Sequence, residues 1–368
     1  MRGDLLDFLR SEIEPQVDGW EEAGHVPPEA LWKVGRRFGL LGMMTPIGRG
    51  GDPRPWTEIV EVATDLGRIY RPFGFLLTNA LIAGYLAAVT DDLQWKRLGL
   101  PIVEGRASSV LALNEPDSGN DLSALASMAE KDEGGYRIRG VKTYIPNADQ
   151  VDFLLLAARE RPGDPPSIFA VDPASSGCRV RRLGATMALR GVHLCEIKLE
   201  GCVVSGDDRL GEMAGLWPHL GRSRLLTSGL ALGIAVEALE LALDYTARTE
   251  RFGKPLNRQG AVQQSLADMG IAVETGRVYL AHAASLVDAG HPASLETSVA
   301  KTYITDLAMR VTTSATQLMG GWGYLVSGKV ERLMREAKLN QIVDGANEIH
   351  RTLIAKSLSN RAKKEREE

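Results

Sequence analysis

LNEPDSGND, Leu113 to Asp121, is the end of an apolar run flowing into a turn dense in Asn, Asp, Ser and Gly, and here the chain changes character. Upstream, from about Pro28 to Arg106, apolar residues recur at helical spacing, as in PEALWKVGRRFGLLGMM and TEIVEVATDLGRIY, with turn signals such as GRGGDPRP between the segments. From ASSVLALNEP onward the runs YRIRGVKTYI, DFLLLAARE, SIFAVDP and HLCEIKLEGCVV are short, β-rich and bounded by Gly, Pro, Asp and Asn. After GEMAGLWPHLG the helical period returns in long stretches, through RSRLLTSGLALGIAVEALELALDYTARTE and ASLETSVAKTYITDLAMRVTTSATQLMG, separated by short Gly/Pro turns. The expected fold is α+β and multi-domain. It has an N-terminal helical domain over 1–106, a central β-barrel or sandwich domain over 107–212 and a C-terminal four-helix bundle over 213–368. There is no internal repeat, and the charged end NRAKKEREE reads as frayed.

Composition narrows the function. With 44% hydrophobic and 24% charged residues in 368, the chain reads as an ordinary globular protein able to bury a large core. A net charge of -4 and dispersed basic residues provide no footprint for nucleic acid or an anionic membrane, so neither is an expected partner. Cys178, Cys195 and Cys202 lack CxxC spacing, and no histidine falls at ligand spacing with them, which points to a reducing cytoplasm and no structural metal. The N-terminus carries acids within its first ten residues and is not read as a signal peptide. PFGFLLTNALIAGYLAAVT, Pro72 to Thr90, approaches membrane-spanning length, but its Asn79 and glycines fit a buried core helix better.

Four segments carry candidate chemistry. The backbone N–H groups of LNEPDSGND can cradle a phosphate or a heteroaromatic edge, although a polar turn after a strand needs no ligand to explain it. TERFGKPL, Thr249 to Leu256, closes a long helix between Arg248 and the Arg251–Phe252 pair, where cations also suit the helix dipole. QLMGGWGYL, Gln317 to Leu325, places Gly320 and Gly321 after a helix, open either to a ligand's close approach or to a plain helix stop. QIVDGANEIH, Gln341 to His350, sets an aspartate and a glycine in what reads as a helical context.

In their order and separation these segments, together with the downstream ERLMREAK, resemble the acyl-CoA dehydrogenase family over nearly the whole chain. The resemblance implies FAD held noncovalently between the β-domain and the bundle, with a neighbouring subunit closing the adenine side, hence a homodimer or homotetramer. It implies that a carboxylate before a glycine removes the α-proton of an acyl thioester while the β-hydrogen leaves as hydride to the flavin. That position matches Asp344, followed by Gly345; a base in a dry, closed site gains basicity by desolvation. The thioester carbonyl would be polarised by the backbone N–H of Asp344 and a ribityl hydroxyl. Some members carry the base just before an arginine that matches Arg224; here Ser223 stands there, so Asp344 is the carboxylate of choice and Arg224 shapes the site. On the flavin side the resemblance implies Leu113, Asn114, Gly119, Asn120, Tyr144 and Pro146. Phe252, Gln263, Gln317, Gly320 and Gly321 match contacts made across the subunit boundary. Thr249 stands at a family arginine, so Arg248 or Arg251 would reach the pyrophosphate. In the last motif Ala346 replaces a threonine and Glu348 stands for a glutamine or glutamate.

Two departures bear on the reaction. Aspartate is shorter than glutamate by one methylene, about 1.5 Å of reach, and a misplacement of about 1 Å can cost roughly a hundredfold in rate. Pro146 offers neither hydroxyl nor N–H where the family places a hydroxyl on the flavin. The expected function is an FAD-dependent acyl-thioester dehydrogenase acting on a short acyl group carried by CoA or by an acyl carrier protein. It resembles the branch making hydroxymalonyl or methoxymalonyl polyketide extender units. An electron-transfer partner or oxygen is the acceptor. The alternatives are an ordinary short-chain acyl-CoA dehydrogenase, a flavoenzyme of nitroalkane-oxidase or monooxygenase type on the same fold, and a non-enzymatic flavoprotein.

Overall fold

The apolar run Phe153–Ala158 is buried along its whole length, and the sheets are arranged so that both of its faces are covered. The computed structural model describes residues 2–367. The strands of its two larger sheets are β1 (Ser109–Ala112), β2 (Met128–Asp132), β3 (Gly135–Pro146), β4 (Phe153–Ala158), β5 (Ser167–Val171), β6 (Cys178–Arg182), β7 (Leu194–Ser205) and β8 (Arg209–Glu212). They form two four-stranded sheets, in the orders β1-β4-β5-β8 and β2-β3-β7-β6, antiparallel throughout except for the parallel pair β1–β4. Side chains alternate across a strand. Leu154, Leu156 and Ala158 of β4 therefore share one core with Ile138 and Ile197 of the other sheet. Phe153, Leu155 and Ala157 share another with Ile82, Tyr85 and Leu86 of the Gly74–Val89 helix. A strand sandwiched in this way must read as a continuous apolar run.

Contacts divide the chain into two compact units: the sheets belong with residues Gly19–Arg54 and Phe75–Leu220, and the second unit joins the chain up to Asp18, Pro55–Gly74 and everything from Gly221 onward. In the helical unit the Ser294–Met319 helix is central, packed against Gly260–Asp288, Lys329–Asn340 and Asn347–Glu367. Its Ile304, Leu307 and Val311 join Leu232, Val273 and Leu333 in one core. The Trp56–Ile69 helix crosses Trp217–Arg248 at backbone contact distance: a Cβ on Gly233 would lie 2.0 Å from the carbonyl oxygen of Thr64. Only glycine permits that approach. Helix, sheet, helix is the architecture expected. Among the described residues two helical segments are long and apolar enough to span a membrane, Arg71–Val89 and Met213–Arg248, and both are mostly buried inside the protein, as core helices are.

One local reading is corrected. QIVDGANEIH is not helical in its middle: one helix ends at Asn340 and the next starts at Asn347, with Asp344 and Gly345 both left-handed at φ 55 and 83. The physical reason is Lys301, fully buried on the central helix. Its ammonium donates to the Gly345 carbonyl at 2.6 Å, to Asn347 Oδ1 at 2.9 Å and to the Gln341 carbonyl at 3.4 Å. Asn347 in turn donates to Thr305 Oγ1 at 2.9 Å and Asp306 Oδ1 at 2.8 Å, and Gln341 donates to Asp306 at 2.6 Å. Burial pushes the Lys301 ammonium down to about 8, with Asp344, Asp306 and Glu348 holding it up, so it remains mostly protonated at neutral pH. His350, 1% exposed, places Nε2 at 2.9 Å from the Asp344 carbonyl; a carbonyl only accepts, so Nε2 carries the hydrogen. A Cβ on Gly345 would lie 3.1 Å from that nitrogen, in a backbone conformation that disfavours any side chain.

Lys301→Met removes the donor while keeping the stem, and the expected cost is about 2–4 kcal/mol from buried acceptors left unsatisfied, read from the urea midpoint. A loss below about 0.5 kcal/mol would show that the break holds without it. Burial also pushes His350 down from 6.5 to about 4, the Asp344 carbonyl opposing this and the Arg224 and Lys301 charges adding to it. Between those two values the unfolded chain binds a proton that the folded chain does not, so stability is lost as pH falls through that window. Melting temperature should accordingly drop more steeply from pH 6.5 to pH 5 in the parent protein than in His350→Gln. Parallel curves would contradict this.

Candidate active site

Asp344 stands in the break just described, and its carboxylate is met by the helix Trp217–Arg248. Ser223 and Thr227, spaced i and i+4, lie on one face of that helix. The Thr227 hydroxyl donates to Oδ2 and the Ser223 hydroxyl reaches Oδ1 at 3.4 Å. Between them in sequence, Arg224 donates Nη1 to Ser298 Oγ at 3.0 Å on the central helix. Burial lowers the Arg224 guanidinium, and the charge of Asp344 partly restores it. Arg71 belongs to the same neighbourhood: it donates Nε to Asn340 Oδ1 at 3.1 Å. Burial lowers it too, against the charges of Asp344 and Glu336. The carboxylate thus lies in the field of Arg224, Arg71 and Lys301 while its hydrogen bonds come from hydroxyls. As a residue in a turn between helices Asp344 is exposed, so hydroxyl donors and nearby cations, rather than burial, define its surroundings.

In the sheet unit, the segments Leu113–Asn120 and Lys142–Asn147 are brought side by side. The Thr143 N–H donates to the Asn114 carbonyl at 3.0 Å, and Lys142 Nζ donates to the Leu113 carbonyl at 3.3 Å and to Glu115 Oε1 at 2.7 Å. Glu115 also accepts from the Ala126 and Ser127 N–H groups at 2.6 and 3.0 Å, which locks the turn to the strand that follows. Burial raises the Glu115 carboxyl, but Lys142, Ser127 and Ala126 outweigh it and hold the group below the usual range. Within β3 the register slips between Lys142 and Ile145, and Tyr144 and Asn147 both take left-handed φ, 57 and 52. Tyr144 is left 62% exposed. Pro146 pairs with Leu194 in register without an N–H to donate, while the Asn147 N–H is held by the His193 carbonyl at 2.7 Å. Gly119 and Asn120 are exposed on the turn.

The other expected residues lie on the surface of the helical unit and share no hydrogen bond with Asp344 among the described residues. Arg248, 79% exposed, pairs with Asp244 at 2.6 Å, and Arg251 donates to the Glu250 carbonyl at 2.8 Å. Phe252, at φ 55 in the turn of the Glu250–Pro255 hairpin, is 93% exposed. Gln263, Gln317, Gly320, Gly321 and Glu348 are exposed, and Ala346 is half-buried in the break. Among the described residues no group of three His, Cys, Asp or Glu side chains could hold a metal ion. Sequence reasoning missed Thr227, Lys301, His350 and Arg71. Thr227 had a signal, one turn beyond Ser223 on the same face; so had Lys301, a lysine inside the run SVAKTYIT. Arg71 had none.

The comparisons with known proteins agree along the chain. The acyl-CoA dehydrogenase N-terminal, middle and C-terminal domain models match residues 1–106, 110–202 and 217–359. An acyl-CoA dehydrogenase of Bacillus subtilis is 30% identical, with 97% of each chain covered. A cyclohex-1-ene-1-carbonyl-CoA dehydrogenase of Syntrophus aciditrophicus is 34% identical over 96% of this chain and 89% of its own. The solved structure of butyryl-CoA dehydrogenase from Megasphaera elsdenii superposes with a TM-score of 0.90 at 26% identity, covering 97% of both chains. With its helix–sheet–helix architecture matched from end to end, the chain belongs to the acyl-CoA dehydrogenase family and is an FAD-binding oxidoreductase of that type.

Proposed function

We propose that this flavoenzyme oxidises a short, oxygen-bearing acyl thioester carried by CoA or a carrier protein, and that Asp344 removes the α-proton. The observation that carries the reading is the convergence on Asp344 of two hydroxyl donors and two arginines at a forced helix break. Thr227 and Ser223 hold the carboxylate in one orientation, which a base taking a proton from carbon needs. The proton ends on an Asp344 oxygen. Arg224 and Arg71 stabilise negative charge developing in front of the base. Among the described residues none accepts the backbone N–H of Asp344, which leaves that donor for the thioester oxygen.

The residues present suit FAD. Side-chain amides and turn N–H groups around Asn114–Asn120, the exposed Tyr144 and the segment reaching Asn147 offer a polar edge beside an aromatic face. Arg248, Arg251, Phe252, Gln263 and Gln317 offer cations, an aromatic ring and amides for a pyrophosphate and a purine. FAD supplies, when bound, the acceptor for the hydrogen and electron pair leaving the β-carbon. Pro146 removes one hydrogen bond from that arrangement, which favours a specialised substrate over a general fatty-acyl one. Phe252, Ile271, Val278, Tyr324 and Val326 are exposed apolar side chains on the helical unit, and a homodimer or homotetramer would cover them. Electrons pass on to an electron-transfer partner or to oxygen, in the cytoplasm.

Anaerobic flavin absorbance tests the reading, with butyryl-CoA and a three-carbon hydroxyacyl or semialdehyde thioester on a carrier protein as titrants. Asp344→Asn should retain FAD and lose substrate-driven bleaching by about 10²–10⁴-fold in rate; undiminished bleaching would remove Asp344 from the chemistry. Asp344→Glu, which restores reach, should raise turnover of butyryl-CoA. No gain would mean that the site is built around the shorter acid.

A further inference from the structure

No step of the proposed chemistry uses Cys178 or Cys202, and the sheet brings the two together. β6 is an edge strand in the order β2-β3-β7-β6, and its Cys178 stands opposite Leu199 of β7. Side chains alternate across a strand, so Cys178 and Val180 share the inward face with Leu199 and Ile197 and pack against the core that the two sheets enclose. By the same alternation Cys202, three positions beyond Leu199, would point outward. It points inward because Gly201 is an extra residue: β3 pairs Ile138 with Cys202 and Arg139 with Glu200, which leaves Gly201 unpaired at φ 77. That glycine bulge reverses the alternation, and Cys202 is 0% exposed in the same core.

The chain ahead of β6 closes the remaining distance. The Gly177 carbonyl accepts the Glu200 N–H at 2.8 Å and the Ser176 carbonyl accepts the Val203 N–H at 3.2 Å, so the two bonds bracket Gly201 and Cys202. A Cβ on Gly177, whose φ is 82, would lie 2.9 Å from the Cys202 nitrogen. Cys178 is thus one peptide step, about 3.8 Å between Cα atoms, from a residue in backbone contact with Cys202. A disulfide spans Cα separations of about 4.4–6.8 Å. The two thiols also differ as an attacking and a resolving sulfur must. Cys178 is half-buried and Cys202 fully buried. A hydrogen bond with Cys202 lowers the Cys178 thiol, against burial and the charge of Asp172, and the same bond together with burial pushes Cys202 up. Cys195 lies on β7 opposite Arg182, at the far end of this strand pair. Its thiol is 3.5 Å from Asp149 Oδ1 and is pushed up to about 11, by burial first and then by that carboxylate's charge.

We propose that Cys178 and Cys202 form a reversible oxidation site whose oxidant is a hydroperoxide, with Cys178 meeting the oxidant and Cys202 resolving the product into a disulfide between β6 and β7. The Cys178 thiolate attacks the O–O bond: an S–O bond forms and the O–O bond breaks. The second oxygen leaves with a proton as water or an alcohol, and the sulfur has given two electrons to the peroxide. The Cys202 thiol then displaces the sulfenic hydroxyl: an S–S bond forms, the S–O bond breaks, and the oxygen leaves as water with the Cys202 proton. A dithiol returns two electrons and restores both thiols. The bond staples a strand that the sheet otherwise holds along one side only. The site is independent of which acyl thioester the flavin oxidises.

The test treats the FAD-loaded protein with hydrogen peroxide, alkylates the remaining free thiols and maps the peptides without reduction. The expected product is one cross-link, Cys178 to Cys202, with Cys195 alkylated and with dithiothreitol restoring both oxidised thiols. Before oxidation, Cys178 should alkylate about 10-fold faster than Cys195, or more. In Cys202→Ser, Cys178 should stop at the sulfenic acid and be trapped by dimedone; in Cys178→Ser, Cys202 should remain an unmodified thiol. FAD content and melting temperature report that each variant is folded, and oxidation of the exposed Met187 reports that the peroxide acted. Free Cys178 and Cys202 after peroxide, a cross-link through Cys195, or dimedone labelling of Cys202 in Cys178→Ser would overturn the assignment.

Discussion

The candidate site depends on one buried cation. Lys301 stands on the central helix of its unit and collects the carbonyls of Gln341 and Gly345 and the amide oxygen of Asn347. The ammonium draws the carbonyls of this segment inward, where the Gln341 carbonyl also takes the Asn347 N–H at 3.1 Å, and the chain leaves the helix between Asn340 and Asn347. The left-handed pair Asp344–Gly345 is the consequence. Burying an ammonium is costly unless every proton finds an acceptor. Here all three do.

The same constraint bears on why the acid is an aspartate. Among residues other than glycine, asparagine and aspartate tolerate the left-handed region best. The hydroxyls of Ser223 and Thr227, one helical turn apart on the facing helix, meet the aspartate's carboxylate. Reach and orientation are thus set together: the shorter carboxylate is met by donors of the facing helix rather than left to swing. Pro146 tells a parallel story in the sheet unit. It sits at the end of β3 where the register has already slipped, and its missing N–H breaks no ladder bond that the structure needs.

Stability and site are built from the same elements. β4 is apolar on both faces because a sheet covers one and helices cover the other. The glycine crossing between the Trp56–Ile69 and Trp217–Arg248 helices brings their backbones into contact. The second of these helices carries Ser223, Arg224 and Thr227, so its close seat also limits how far those side chains can shift. Cores packed at crystal density transmit such constraints because they do not deform smoothly.

By itself the sequence determined the helix–sheet–helix order, since hydrophobic periodicity is local and each segment declares its own period. The motifs from LNEPDSGND to QIVDGANEIH also sufficed to single out Asp344 and the Leu113–Asn120 turn as candidates, because their residue types and order are chemical facts of the chain. Only the tertiary structure decided that Asp344 is left-handed and exposed, that Ser223 is its donor rather than an inert replacement, and that Thr227, Lys301, His350 and Arg71 belong to its surroundings. Each of those facts rests on contacts between segments tens to hundreds of residues apart, and local patterning carries no record of which distant oxygen a buried lysine or arginine will meet.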